Sequence, residues 1–471
     1  MTTVVIGGGL AGITAAVALA SAGEDVTLLE AKPRLGGATM SFDRDGLIVD
    51  TGQHVFLRCC TAYRGLLDRL GMTAHAPIQP RFDVTVLSPS GRARLRRAKM
   101  PAPLHLGTAL ARYHVLSPAE RIKVTRAALA FRQVDPEDPE ADATRLGDWM
   151  TARGQSEHTR RALWDLFTIA TLNVPGDDAS LALAAKVVRT GLLEDAPAAD
   201  IGVPALPLGD LHGTAGRRKL ESLGASVRVS AKVESIQVTG PSKYIVRLAR
   251  SDEAIEADKV VLAVPHEAAA KLIPAGALPD GQVSAWSGLG AAPIVNLHVI
   301  YDRKVMDAPF AAAVDSPAQW VFDRTRISGM HARGDDGQYL AVSLSAADFC
   351  VDTSVAELRE RFVPALAEVL PAAGDASVRE FFVTRERRAT FRQVPGCGRL
   401  RPPAATGLPG LVLAGSWTDT GWPDTMESAV RSGLNAVRAL RNPEAPPSAA
   451  RGVSELTPEF VSTAEHEEVR S

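Results

Sequence analysis

Three glycines, Gly7, Gly9 and Gly12, and an acid at Glu30 have the types and spacing that binding a dinucleotide requires. Gly7 permits a tight turn, Gly9 lets the backbone approach a pyrophosphate, and Gly12 allows a helix to lie close against a strand. Amides at the start of such a helix, around Leu10 and Ala11, attract phosphate oxygens. Glu30, eighteen positions after Gly12, is placed to accept hydrogen bonds from a ribose diol. The flanking sequence supplies the elements needed to hold these groups. Val4-Val5-Ile6 reads as a strand entering the glycines, an apolar helical run reaches Ala22, and Val26-Thr27-Leu28-Leu29 reads as a second strand ending at Glu30.

The residues from Glu30 onward, Glu30-Ala31-Lys32-Pro33-Arg34-Leu35-Gly36-Gly37, resemble the E-A-x-x-R-x-G-G stretch of the flavin amine oxidase and carotenoid desaturase superfamily. The resemblance implies FAD rather than NAD. It sets Ala31, Arg34, Gly36 and Gly37 along the cofactor, with the paired glycines near its pyrophosphate. An arginine usually follows those glycines, but here the residue is Ala38, so that phosphate contact is absent or comes from elsewhere. The implied fold is α/β: a Rossmann-like FAD-binding domain of the glutathione reductase and amine oxidase type, with a discontinuous mixed α+β substrate domain. The expected FAD-binding parts are residues 1–75, 205–270 and 396–441, and the expected substrate parts are 76–204, mostly helical, and 271–395. Residues 442–471, rich in Pro, Ala, Ser and Glu, are expected to form a disordered tail. Alternation over Ser226–Val233 and the run Lys259–Pro265 predict returning strands, with Val233 and Ala263 at the superfamily's cofactor positions.

A C-terminal motif, Leu413-Ala414-Gly415-Ser416-Trp417, continues through Asp424-Thr425-Met426-Glu427. Asp424 with Glu427 has a capping-box pattern, and Met426, Ala429, Val430 and Val437 fit one helical face. In relatives the start of this helix lies under the N1–C2=O edge of the isoalloxazine, where the helix dipole favours an anionic reduced flavin. The resemblance thus implies cofactor contacts at Gly415, Ser416, Thr425, Met426 and Ala429. Ser416 replaces the acid that commonly follows the glycine, which weakens that contact.

Val49-Asp50-Thr51-Gly52-Gln53-His54-Val55-Phe56 resembles the D-x-G-Q-H segment of hydroxysqualene dehydroxylases. Thr171–Pro175, Leu206–Leu211 and Arg399–Pro409 are similar to further segments of that family, in order, over residues 3–440. The family resemblance implies loss of an allylic hydroxyl from hydroxysqualene and delivery of a hydride from reduced FAD to give squalene. A departing hydroxide needs a proton. His54 is the first candidate acid because its segment passes near the isoalloxazine in relatives, and Asp419 and Asp424 follow it. Gln53 is implied as a cofactor contact. His54 could equally serve as a hydrogen-bonding neighbour of the backbone or flavin. Two other readings stay open: an oxidative enzyme of the carotenoid (phytoene) desaturase or amine oxidase kind, and a prenyl-lipid carrier without catalysis. The intact glycine and Glu30 site argues against the carrier, and 5% aromatic content counts against stacked-ring amine binding.

Composition limits the remaining choices. The chain has 471 residues, 46% of them hydrophobic, enough for two domains. Lys plus Arg (52) nearly balances Asp plus Glu (54), so no global field points to nucleic acid. Four cysteines without a CxxC pair read as reduced cytoplasmic thiols, and Cys397 lacks the surroundings of a covalent flavin attachment. The ten histidines show no metal-ligand spacing, and no metal is expected. No apolar run has the length of a membrane span, and no basic leader precedes the first strand. A single dinucleotide fingerprint leaves no dedicated NAD(P)H domain. Between residues 92 and 132, ten basic residues face the single acid Glu120, with apolar residues among them. That pattern suits peripheral docking on anionic lipid, where an isoprenoid substrate would enter, though a solvated basic face would carry the same charges. Synthases of the squalene pathway are the implied protein partners.

Overall fold

The computed structural model describes residues 1–442, so the expected tail beyond Asn442 lies outside the described residues. Strands from both ends of the chain meet in one parallel five-stranded sheet. Its order is Leu411–Leu413, Lys259–Leu262, Thr2–Ile6, Asp25–Leu29, Ser226–Arg228. The register pairs Val4 with Val260 on one side and Thr27 on the other, and Val261 with Val412. Parallel strands buried on both faces read as continuous apolar runs, as Val4–Ile6 and Val260–Leu262 do.

The helix Leu10–Ser21 is buried throughout Leu10–Ala20 and packs against the last described helix, Met426–Arg441. A Cβ at Gly433 would lie 2.4 Å from the Ala11 carbonyl oxygen, so the two helices touch backbone to backbone there. Small residues on both sides permit that approach.

The second large sheet has seven strands, ordered Val378–Thr390, Ala292–Tyr301, Gln338–Leu344, Trp320–Asp323, Phe310–Ala313, Asp83–Ser88, Gly91–Arg96. Its first-to-last order joins residues 83–96 to residues 292–390 through the parallel pairing of Thr85 with Ala311. Alternate residues of Ala292–Tyr301 take different sides. Val295, Leu297, Val299 and Tyr301 enter a core with Leu358, Phe362 and Leu366, while Ile300 packs with Leu47, Val49 and Tyr339. That second face brings the sheet against the hairpin Ser41–Asp50, next to the Gln53–His54 segment.

One expected strand is two. Ser226–Arg228 belongs to the parallel sheet, whereas Val233–Gly240 opens a separate three-stranded antiparallel sheet. Ser230, at φ 54°, turns the chain between them, and a single pleated run cannot pass through that conformation.

Candidate active site

Two glycine loops are laced together at the mouth of the parallel sheet. Gly7 has φ 109°, and a Cβ there would lie 2.2 Å from the Ala263 carbonyl oxygen. A Cβ at Gly12 would sit 1.9 Å from the Gly7 oxygen. Gly36 donates its amide to Gly8 oxygen at 2.8 Å, and a Cβ on Gly37 would lie 2.9 Å from Gly9 Cα. Gly9 itself is open: a Cβ there would meet only Gly37 Cα, at 3.9 Å. The helix beginning at Leu10 has Gly9 as its N-cap and no side chain bonding its first amides, the arrangement that receives a phosphate.

Glu30 carries bonds that the sequence did not indicate. Its Oε2 accepts from Gly8 N at 2.6 Å and its Oε1 from Lys32 N at 2.7 Å, which fixes the carboxylate at the edge of the cradle. Each oxygen retains a lone pair for a diol. Ala231 N donates to Glu30 oxygen at 2.9 Å, so the buried Val233 is carried to the same end of the site. Ala31 and Arg34 are exposed, and the Arg34 guanidinium bonds the Met40 sulfur.

The Val49–Phe56 segment is clamped from three directions. Asp50 Oδ1 accepts from Leu208 N at 3.0 Å, and Arg324 donates to Asp50 Oδ2. Asn296 Nδ2 donates to Thr51 oxygen at 3.1 Å, and Thr51 N donates to Met40 oxygen at 3.0 Å. Burial pushes the His54 imidazole below its ordinary value. Gly52 and Asp50 oppose that shift, and Arg324 adds to it. His212 bonds the Tyr63 hydroxyl through Nε2 at 2.8 Å and is lowered to about 3, by burial first and His54 second.

Several polar atoms here have no protein partner. Both amide atoms of Gln53, Nδ1 of His54, Nδ1 of His212 and Oδ1 of Asn296 are buried and unbonded. A buried polar atom left unpaired costs about 1–3 kcal/mol, so five of them around one segment mark a place built for a polar ligand. An isoalloxazine, with acceptors and a donor alternating along one edge, fits that set. The glycine cradle fits a pyrophosphate, so the residues present suit FAD from end to end.

The C-terminal motif folds over this region. Gly415, at φ 138°, donates its amide to Ser432 Oγ at 2.8 Å. The buried Arg401 guanidinium donates to the Ser416 oxygen at 3.0 Å and to the Thr418 oxygen at 2.6 Å, pinning the loop. Met426 and Ala429 pack partly buried against the cluster holding Leu10, Phe56 and Tyr63.

The expected capping box is not formed. Thr425 is the N-cap, its Oγ1 accepting from Ser428 N at 3.4 Å, because Thr425 is the extended residue at φ −138°. Asp424 instead turns to the 391–393 segment. Its Oδ2 accepts from Phe391 N and its amide donates to Gln393 Oε1, both at 2.8 Å. Burial raises its carboxyl above the ordinary value, partly offset by the Ser416 hydroxyl. Glu427 reaches the helix Thr61–Arg69, accepting from Tyr63 N at 2.8 Å and Ala62 N at 3.2 Å, and pairs with Arg431 at 2.7 Å. An acid at those first-turn amides also meets the positive end of that helix. Asp419 closes a turn by accepting from Gly421 N at 3.2 Å, and no bond among the described residues ties it to the His54 segment.

Arg324, Asn296, His212, Tyr63 and Arg401 are the candidate-site residues that sequence reasoning missed. His212 directly follows the Leu206–Leu211 segment, and Arg401 lies inside Arg399–Pro409, so adjacency to those segments was a usable signal. Asn296 and Arg324 reach the site only through the packing of the large sheet.

The chain is similar to known proteins along most of its length. The chain is 28% identical to a hydroxysqualene dehydroxylase of Zymomonas mobilis over 443 residues, covering 92% of this chain and 97% of the relative. It is 29% identical to the Sinorhizobium fredii hydroxysqualene dehydroxylase, covering 92% and 96%. It is 22% identical to the 15-cis-phytoene desaturase of Glycine max, covering 93% and 79%. Putrescine oxidase bound to putrescine shares the fold, with a TM-score of 0.70 at 19% identity over 94% of this chain and 99% of the oxidase. The resemblance to the dehydroxylases therefore holds along almost the whole length. The profile of the flavin-containing amine oxidoreductases matches residues 10–441, from the first turn of the cradle helix to the end of the last described helix. The chain is accordingly an oxidoreductase that works with FAD, and it belongs to the flavin-containing amine oxidoreductase family.

Proposed function

We propose that the protein removes the allylic hydroxyl of hydroxysqualene reductively to give squalene. The observation that carries this reading is the end-to-end similarity to hydroxysqualene dehydroxylases, 97% of the Zymomonas mobilis relative being covered. In this reading FAD, once reduced, supplies the hydride. The C–O bond breaks, the hydroxyl leaves as water after taking one proton, and a C–H bond forms in its place.

The chain's own residues provide the rest. The Arg324–Asp50 pair and Asn296 hold the 51–54 backbone, and buried His54 presents Nδ1 without a partner. Proton delivery from that atom to the departing oxygen is favoured by burial, which makes the protonated imidazole a stronger acid than a free one. Exclusion of water around the bound substrate would also protect an allylic cation. Asp424, raised by burial, is the alternative donor, and its bonds to the 391–393 segment count against it. Among the described residues no helix is long and apolar enough to cross a membrane. An isoprenoid substrate fits a protein peripheral to the cytoplasmic face, supplied by the preceding synthases.

Anaerobic photoreduction followed by hydroxysqualene tests the reading. Reoxidation of the flavin with stoichiometric squalene in the lipid extract is the expected result. Flavin that stays reduced beside unchanged substrate overturns it and makes oxidised enzyme with phytoene the next trial, given the desaturase relatives.

A further inference from the structure

The helix Pro118–Phe131 carries two apolar stripes. Val124, Ala127 and Phe131 are buried in the core. Ile122 and Leu129, seven residues apart on another face, are 57% and 48% exposed. Met100 and Leu104, 42% and 58% exposed, stand just before the helix Gly107–Arg112, which packs against Pro118–Phe131. Four of the eight large exposed apolar side chains among the described residues thus fall between residues 100 and 129.

The charges in the same stretch divide into two groups. Arg94 and Arg96 pair with Asp83, Arg97 pairs with Asp200, and Arg121 donates to the Ala111 carbonyl oxygen. Glu120, its single acid, is engaged by the Ser117 amide, Ser156, His158 and Thr159. Lys99, Arg112, Lys123, Arg126 and Arg132 are exposed and pair with no carboxylate among the described residues, while Arg92 acts on the Asp307 carboxylate. Arg126 lies between Ile122 and Leu129 on the exposed stripe. An acidic run begins at Asp135, three residues after Arg132 in the chain.

We propose that the surface centred on Ile122, Arg126 and Leu129 of this helix docks the protein on an anionic lipid bilayer. Interleaved apolar and basic side chains meet both the acyl boundary and the headgroup charge of such a bilayer. Methionine and arginine suit a protein partner as well as a bilayer, but protein interface cores are built on aromatic anchors and depleted in lysine. Here the exposed apolar side chains are aliphatic, and two of the free cations are lysines. The inference rests on the isoprenoid reading only for why a lipid surface would matter.

The test is sedimentation of the FAD-loaded protein with vesicles, without substrate. Binding to phosphatidylglycerol-rich vesicles is expected, with little on pure phosphatidylcholine and a fall as salt rises. The I122E/L129E variant should bind about tenfold more weakly. Its flavin spectrum and its thermal unfolding should stay as in the wild type. Failure to bind anionic vesicles, equal binding by the variant, or a wild-type dimer that the variant abolishes without any vesicle binding would each overturn the proposal. Because the assay contains no substrate, its failure leaves the dehydroxylase test standing, and the converse also holds.

Discussion

Arg324 reaches from the end of the Trp320–Asp323 strand to the Asp50 carboxylate, and both side chains are almost wholly buried, at 8% and 2% exposure. The contact joins the large sheet to the segment that presents Gln53 and His54. Removing one partner of a buried pair strands the other charge, which costs about 3–5 kcal/mol. We expect Arg324→Met to lose stability on that scale in urea denaturation. Because Arg324 also pushes His54 down, the His54 imidazole should titrate at higher pH in a variant that still folds. A change below about 1 kcal/mol would show that the pair does not hold the segment.

Proton donation by His54 has a definite pH signature. Its folded value lies below 6.5, so the protonated fraction is small at neutral pH and grows as pH falls. Flavin reoxidation by substrate should accelerate toward acid, approaching tenfold per pH unit above the folded value. His54→Gln should remove that slope and slow the reaction by about 10²–10⁴-fold. Single-turnover traces across pH decide the matter, and an unchanged slope in the variant would transfer the role to Asp424.

Two glycine substitutions should separate folding from cofactor binding. A methyl on Gly12 would lie 1.9 Å from the Gly7 oxygen, so Gly12→Ala must distort the cradle itself and lower the melting temperature. Gly9→Ala meets only Gly37 Cα at 3.9 Å, so the apoprotein should fold normally. The same methyl occupies the place where a pyrophosphate approaches, and we expect flavin to be lost. Absorbance of the purified variants beside their apoprotein melting curves gives the answer.

Acid should destabilise the fold through two buried imidazoles. His212 and His298 are both lowered to about 3, burial being the first cause in each. Unfolding restores their ordinary value near 6.5, so the unfolded chain binds more protons between those limits. Their contribution is complete above about pH 6.5 and is lost as pH falls toward 3, at up to ~1.4 kcal/mol per pH unit for each group. His298→Gln, which can still bond Tyr339 and Thr384, should flatten the pH dependence of the urea midpoint. An unaltered slope would count against this account.

Legibility in the sequence followed the range of the interactions. The glycine cradle is local chemistry, and its turn, close approach and helix packing could be read from spacing. The strand Val4–Ile6 and the run Lys259–Leu262 carry continuous apolar sequence and enter the sheet as expected. The Ser226–Val233 run misled because its alternation continues through Ser230, and no composition signal marks that residue's positive φ. Asp424 and Glu427 have capping-box spacing, yet each is claimed by a distant segment, the one by Phe391 and the other by Tyr63. The basic stretch held a mixture that charge counting could not resolve, since Asp83 and Asp200 neutralise three of its arginines from elsewhere in the chain. Asn296 and Arg324 were invisible for the same reason: their partners lie 245 and 274 positions away.

The central strand Thr2–Ile6 lies two places from Leu411–Leu413, with Lys259–Leu262 between them. A ribosome making this chain therefore releases the first strand long before the last is available. At about 5–20 residues per second, reaching residue 413 takes roughly 20–80 s, during which the cradle lacks one edge. Flavin can be captured in full only near the end of synthesis, so a chain truncated before Leu411 would leave its first helix without its closing neighbour and would be a target for proteolysis rather than a slower enzyme.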